Sequence, residues 1–413
     1  MTVAYTESAY PVPLKENGLI VEYKSGAHSH DIPQKTRDLE IAHMLELLKA
    51  KPTFNPNLKF DPKKHLVFKE EYYKTTTTAT LEDLGITKTR TAPISGFAAA
   101  HPFPLISQEA VDMMLWEAFQ PNVIENYARL PNSGLSKGTT RLDFHLGGHC
   151  RYIAPFTWDL YNSPEVSEII SNFVGVKLGP MFNSELGHMN VSLASLDPEE
   201  VKEIPQTKED LLAKMEHLDK NKDDVPSSLG LHYDSGTIAL VIMLDLGEGA
   251  VGGETGIVTG DDKMFRVPDP KIGYATLIQG IVLKHVATKP VSNSNRITGV
   301  TGYAAAPGSG KLDNCRNTSN KPSVLPRAIH TPYWSEWIEY RFKNLEAHLK
   351  QEREKVMERF AKGAEFDQSA MIDTIKEMEK YLHDSWKEME AVHNPPYPPA
   401  EFNTPYQDLP DYE

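Results

Sequence analysis

His232-Tyr233-Asp234, with His285 about fifty residues beyond it and Arg296-Ile297-Thr298 eleven positions further on, constrains this chain more than any other stretch. Residues two apart on a strand project from one face, so His232 and Asp234 would present an imidazole and a carboxylate together. His285 lies in a separate apolar run, residues 281–287, which also reads as strand. Two imidazoles and one carboxylate on one side of an octahedral ion leave the opposite side open to exchangeable ligands. Arg296 adds a planar fork suited to the far end of a dicarboxylate, and Thr298 sets a hydroxyl on the same face of its strand. A lone His-x-Asp occurs by chance in many chains; the composite with a distal His and a following Arg-x-Thr is far more specific.

The residues around these positions read as a series of short strands. Residues 237–244 form an apolar run buried on both faces, and Gly247 to Gly256 is a glycine-dense turn without the Lys and helix of a phosphate loop. Further strands begin at Ile257, Met264, Gly273, Ile281 and Arg296. Strands at intervals near ten residues, joined by Gly, Pro and Asp turns, predict an antiparallel sandwich or barrel. Residues 179–195 alternate as well, with Leu186, His188, Asn190 and Ser192 on one face and Met189, Val191 and Leu193 on the other. That polar face suits either a wet pocket or solvent.

Helices flank this series, so the expected class is mainly β with flanking helices, α+β. An N-terminal helix runs from Pro33 to a stop at Pro52, with Leu39, Ala42, Met44 and Leu47 as its apolar positions. Ser107 caps another, and residues 164–174 give a third. The charged stretch 197–226 reads as a helical surface insertion. Ser335 caps a long helix to Ala361, whose stripe is Ile338, Phe342, Leu345 and Leu349, and a second helix follows from Asp367 to about Val392. These features divide the chain into an N-terminal extension with one helix (1–95), a catalytic core (96–310), and a loop with two long helices (311–413).

Composition narrows the function classes. The net charge of −14 argues against nucleic acid or an anionic membrane as partner. Two cysteines, Cys150 and Cys315, do not make a disulfide framework, and neither a signal peptide nor an apolar span is evident, so a cytoplasmic location is expected. Other clusters are weaker. His28 and His30 fit solvated loop histidines. Asp143, His145 and His149 admit a second metal site, but Gly147-Gly148 breaks the period between the histidines; hydrogen-bonded groups at a pocket rim are the alternative, with His145 as a substrate contact. Cys150 lacks the neighbours of a nucleophile. Arg327 is a candidate for a substrate carboxylate.

At His232-Tyr-Asp234, His285 and Arg296-Ile-Thr298 the sequence resembles the Fe(II)/2-oxoglutarate-dependent dioxygenase superfamily, in versions common in fungal secondary metabolism. The resemblance is best over residues 187–303 and extends to Gly236-Thr-Ile238, Gly252-Gly-Glu-Thr255 and Ile278-Gln-Gly280. It implies a double-stranded β-helix (jelly roll) core, Fe(II) on His232, Asp234 and His285, and 2-oxoglutarate on Arg296 and Thr298, with Asn190 as a further cosubstrate contact. It implies oxidation of a small metabolite with dioxygen by hydroxylation, desaturation or ring closure, releasing succinate and CO2, with ascorbate as an auxiliary reductant. The flanks depart from the plant-type and isopenicillin-synthase-type patterns, so substrate class does not transfer. Two alternatives stay open: a cupin-like isomerase or hydrolase using Zn(II) or Mn(II), and an interaction protein with a vestigial site. A homodimer through the tail helices also remains open.

Overall fold

Aliphatic and β-branched residues fill both faces of β7 (Ile238–Leu246), and a strand of that composition belongs in a sheet interior. The computed structural model, which describes residues 32–130, 143–202, 204–205, 207–219, 227, 230–268, 270–317 and 330–389, places it there. The other strands are β1 (Thr78–Thr80), β2 (Phe97–Pro104), β3 (Ala128–Arg129), β4 (Asp143–Leu146), β5 (Leu178–Pro180) and β6 (His188–Ser192). After β7 come β8 (Thr255–Val258), β9 (Met264–Val267), β10 (Tyr274–Ile278), β11 (His285–Ala287) and β12 (Arg296–Ala305). Nine of them form one antiparallel sheet in the order β1-β2-β10-β7-β12-β6-β4-β3, with β5 also pairing to β12. A smaller sheet runs β11-β8-β9.

The two faces of the large sheet are covered differently. Leu240, Ile242 and Leu244 of β7, Met189 and Val191 of β6, and Ile297 of β12 point into the main core. Helices α2 (Gln108–Ala118), α3 (Pro155–Tyr161) and α4 (Pro164–Val174) supply that core's other wall, through Val111, Met114, Phe156, Leu160 and Ile170. Their starts follow capping chemistry: Ser107 and Ser163 each accept a bond from a backbone N–H three residues on, and Pro155 and Pro164 open the first turns. On the opposite face, Ala239 and Ile278 meet Ile257 and Val267 of the small sheet. Between the two sheets lies a pocket lined by residues of both.

Three expected elements differ. The N-terminal helix, α1, runs Gln34–Lys49 with a π-helical turn at Arg37–Ile41, and it buries Ile41, Met44 and Leu48 while Leu39 and Leu47 stay exposed; the helix of the charged stretch is α5 (Lys208–Asp219). The wide turn rotates the inward face away from the expected stripe. Residues 281–284 are a turn closed by Val282 and Leu283 N–H bonds to the Gln279 carbonyl, so only His285–Ala287 is strand. Ile281, Val282 and Leu283 are apolar because that part of the turn is buried, while Lys284 is exposed; burial alone does not separate strand from turn. Last, α6 (His330–Ala361) starts before Ser335, which sits inside it, with Pro332 in the first turn. The second long helix, α7, runs Gln368–Trp386 with Asp367 as its N-cap. No described helix is long and apolar enough to cross a membrane.

Candidate metal and cosubstrate site

His232 and His285 face each other as an antiparallel pair, exchanging backbone bonds of 2.9 and 2.8 Å. Such pairing puts the two side chains on one face at close range, and their ring centroids are 4.5 Å apart. Asp234 is fixed by its own N–H, which donates to the Gly280 carbonyl at 2.9 Å. Its two carboxylate oxygens lie 3.5 Å from His232 Nε2 and 3.5 Å from His285 Nε2. That is too long for a good hydrogen bond, and near the ~3 Å separating neighbouring ligand atoms on an ion with bonds of about 2.1 Å.

The imidazoles are aimed. His232 Nδ1 lies 2.9 Å from the Gly230 carbonyl and His285 Nδ1 lies 2.9 Å from the Leu283 carbonyl. A carbonyl only accepts, so each Nδ1 carries the proton and each Nε2 turns its lone pair toward Asp234. The Oδ2 atom of Asp234 is buried and has no hydrogen-bond partner among the described residues. Burial opposes ionisation of Asp234, but the field of His285 and the contacts with both imidazoles outweigh it and hold the carboxyl well below the usual range. Burial likewise opposes charge on His285, and Asp234 reverses the balance and raises its pKa. All three ligand atoms lie within 4.8 Å of one another; no other group of three His, Cys, Asp or Glu among the described residues gathers so closely. A divalent cation fits this donor set, because it would satisfy Oδ2 and both lone pairs at once.

Arg296 sits across the pocket at the start of β12. It is 4% exposed. Its Nε donates to the Gly253 carbonyl at 2.6 Å, and Nη1 reaches the Thr298 hydroxyl at 3.3 Å. Burial lowers its pKa to about 10, with Glu254 opposing, so it stays charged at neutral pH. Glu254 itself pairs with Arg266 at 3.1 Å, and no described carboxylate lies within ion-pair distance of Arg296. A buried guanidinium in this state is a receptor for an anion.

Cross-strand register builds the rest of the wall. Thr298 pairs with Asn190, and Asn190 with His145; Val300 pairs with His188. Asn190, His188 and Glu185 line the pocket together with the His-Asp-His group, Arg296 and Thr298. His145 stands behind His188, its Nδ1 3.2 Å from His188 Nε2, which also lies 3.1 Å from Asn190 Oδ1. The histidine on the pocket wall is therefore His188, with Glu185 beside it. The alternation of residues 186–192 signalled His188, while nothing signalled Glu185. Asp143, His145 and His149 do not form a metal site: Asp143 makes a buried ion pair with Lys289, and His149 lies against Cys150 and Tyr127. Gly148, at φ 78°, turns the chain between the histidines. Cys150 is buried, and burial pushes its thiol pKa well up, which removes it as a nucleophile. Arg327, His28 and His30 lie outside the described residues.

No protein-family profile matches the sequence, and no curated protein matches it. Solved structures similar to it include the non-heme alpha ketoglutarate dependent epimerase SnoN from nogalamycin biosynthesis, with a TM-score of 0.34 and 16% identity over 51% of this chain and 78% of that one. AviO1 from Streptomyces viridochromogenes Tue57 gives a TM-score of 0.32 at 16% identity, over 56% of this chain and 97% of that one. A Pseudomonas putida prolyl-4-hydroxylase gives 0.28 at 14% identity, over 54% and 96%. At these scores the likenesses add no argument to the geometry.

Proposed function

We propose that this chain is an Fe(II)- and 2-oxoglutarate-dependent oxygenase that oxidises a C–H bond of a small metabolite, its two sheets forming a double-stranded β-helix. The observation that carries the reading is a single pocket holding the His232–Asp234–His285 donor set together with a buried Arg296 that has no carboxylate partner among the described residues. Zn(II) isomerase or hydrolase chemistry would use the same donors but gives no reason for that guanidinium.

In this reading His232, Asp234 and His285 hold Fe(II), and Arg296 with Thr298 grips the distal carboxylate of 2-oxoglutarate. The bound metal and cosubstrate supply an oxidant made from dioxygen, and succinate and CO2 leave. The chain's own contribution is placement. The Gly230 and Leu283 carbonyls keep both imidazoles in the metal-facing tautomer. Asn190 stands next to Thr298 as a further cosubstrate contact. Ala239, Val241, Ile278 and Val300 make the apolar part of the wall and limit water beside the reacting carbon.

The test is succinate formation from 2-oxoglutarate in the presence of Fe(II), read across a metabolite panel, with iron content measured in parallel. His232→Ala is expected to lose both iron and turnover. Arg296→Ala is expected to keep iron and raise the KM for 2-oxoglutarate by at least tenfold. Full turnover by the His232 variant, or wild-type protein that binds 2-oxoglutarate equally with and without iron, would overturn the reading.

A further inference from the structure

Helices α6 and α7 form a hairpin that buries one face and leaves a second apolar face bare. Near the body Tyr333, Trp334, Trp337, Arg341, Asn344 and His348 are buried, yet no residue from 349 to 380 is. At 1.5 Å per residue, the unburied end of α6 alone extends about 20 Å. This hairpin carries most of the exposed large apolar side chains among the described residues. They include Phe342, Leu349, Met357 and Phe360 on α6 and Ile372, Ile375, Leu382 and Trp386 on α7; Phe360 is 74% exposed.

Helical geometry puts all of these but Met357 on one side. At about 100° per residue, Phe342, Leu349 and Phe360 form a stripe roughly 120° from the buried line of Trp337, Arg341 and His348. On α7, Ile372, Ile375, Leu382 and Trp386 form a stripe roughly 120° from Tyr381 and Ser385, in the same rotational sense. The helices lie antiparallel, because Trp337 Nε1 donates to the Ser385 carbonyl at 2.8 Å and Arg341 Nη2 to the Tyr381 carbonyl at 2.8 Å. Equal offsets on antiparallel helices fall on the same side of the pair. The hairpin is thus a two-helix layer with one wet side and one apolar side.

We infer that a second copy of this chain covers that side, the two hairpins closing into a four-helix bundle about a two-fold axis. A two-helix layer is half of such a bundle, and a two-fold contact uses the same patch on both partners. The area is of the right order: the seven side chains of the two stripes offer on the order of 750 Å² per copy, against about 800 Å² per partner in a standard interface. Charge points the same way. The chain as a whole carries −14, yet residues 349–380 hold seven Lys and Arg against eight Asp and Glu. Two copies therefore approach at the hairpin without the repulsion that most of their surfaces would impose, and an anionic lipid surface or polyanion finds no basic excess there.

The experiment uses full-length protein in analytical ultracentrifugation up to about 100 µM, well above the micromolar weak end of affinities for an interface of this size. Wild type is expected at twice the 46.3 kDa chain mass. Phe360→Glu combined with Ile375→Glu is expected to give monomer with unchanged far-ultraviolet circular dichroism, while Leu212→Glu, an exposed residue on another helix, leaves the dimer intact. Monomeric wild type overturns the inference, whether or not it then sediments with phosphatidylcholine vesicles. A dimer that survives the double substitution overturns it as well, by placing the contact elsewhere.

Discussion

At the scale of single residues, Gly280 decides whether the site can exist. A Cβ on Gly280 would lie 1.9 Å from Asp234 Oδ2 and 2.6 Å from its Cγ. The clash falls on the carboxylate group itself, and the Gly280 carbonyl also anchors Asp234 through its N–H, so the loop cannot retreat without moving the ligand. Gly280→Ala should lower iron affinity ten- to a hundredfold, the range seen when support of a ligand is lost, with little change in the unfolding midpoint. Iron titration with equilibrium dialysis checks it; wild-type affinity would mean Asp234 is not a ligand. Gly253 plays the corresponding part for Arg296. Its φ of +95° excludes an unstrained side chain, and an added Cβ would press on Arg296 Cδ at 3.3 Å. Gly253→Ala is expected to raise the KM for 2-oxoglutarate while iron content stays at the wild-type level. That split between iron and cosubstrate separates the two halves of the pocket, and equal loss of both would argue for general unfolding instead.

At the scale of elements, the body-proximal part of α6 is tied to the 3₁₀ turn Asn183–Glu185, from which Glu185 reaches the pocket wall. The tie is Glu336, which accepts bonds from Tyr152, from Asn183 at 3.0 Å and from Ser184 at 3.3 Å. Burial raises its pKa to about 7, with the Tyr152 bond, Arg151, Asn183 and Ser184 only partly offsetting it. Because the folded-state pKa lies above the unfolded one, the stabilisation is complete below about pH 4.5 and is lost as pH rises through 7. Glu336→Gln, which cannot ionise, should therefore gain on wild type by roughly 2–3 kcal/mol between pH 5 and pH 8. Urea midpoints across that range read the difference, and parallel profiles would mean Glu336 stays ionised. No sequence pattern announced this tie. The site's donors were legible because His-x-Asp, a distal His and Arg-x-Thr are fixed by coordination chemistry and strand period. The inward face of α6 was not: Ile338, Phe342, Leu345 and Leu349 make the more apolar stripe, yet Trp337, Arg341, Asn344 and His348 are the buried set. Polar residues can go inside there because Asp313, Tyr381 and Ser385 meet them, and those partners come from other segments. The turn at residues 281–284 escaped for the converse reason, an apolar run that is buried without being extended.

At the scale of the whole molecule, that polar set is what fastens the C-terminal hairpin to the β-sheet body. Asp313, in the segment following β12, accepts from Arg341 Nη1 at 2.9 Å, from Asn344 at 3.0 Å and from the Tyr381 hydroxyl at 2.6 Å. Arg341 also lies 3.2 Å from the Tyr381 ring centroid and donates to Ser385 at 2.9 Å. Both charged side chains are essentially inaccessible, so each has only the other charge, with these neutral hydrogen-bond partners, as compensation for lost hydration. Breaking such a pair from one side leaves a bare buried charge and is expected to destabilise by about 3–5 kcal/mol, whereas replacing both with apolar groups removes the desolvation penalty along with the attraction. Asp313→Leu alone and Arg341→Met alone should each lower the urea midpoint strongly, and the double variant should recover a large part of either loss. Additive losses would mean that the pair's hydrogen-bonded neighbours, Tyr381, Asn344 and Ser385, hold the hairpin by themselves. Iron content measured on the same proteins locates the damage: Asp313 opens a segment bonded to the one that carries Asp234, Asn314 Oδ1 accepting from the Thr237 hydroxyl at 2.7 Å and the Arg316 N–H donating to the Ser235 carbonyl at 2.9 Å. Loosening that segment should therefore lower iron content together with the urea midpoint, while any dimer formed through the hairpin dissociates first.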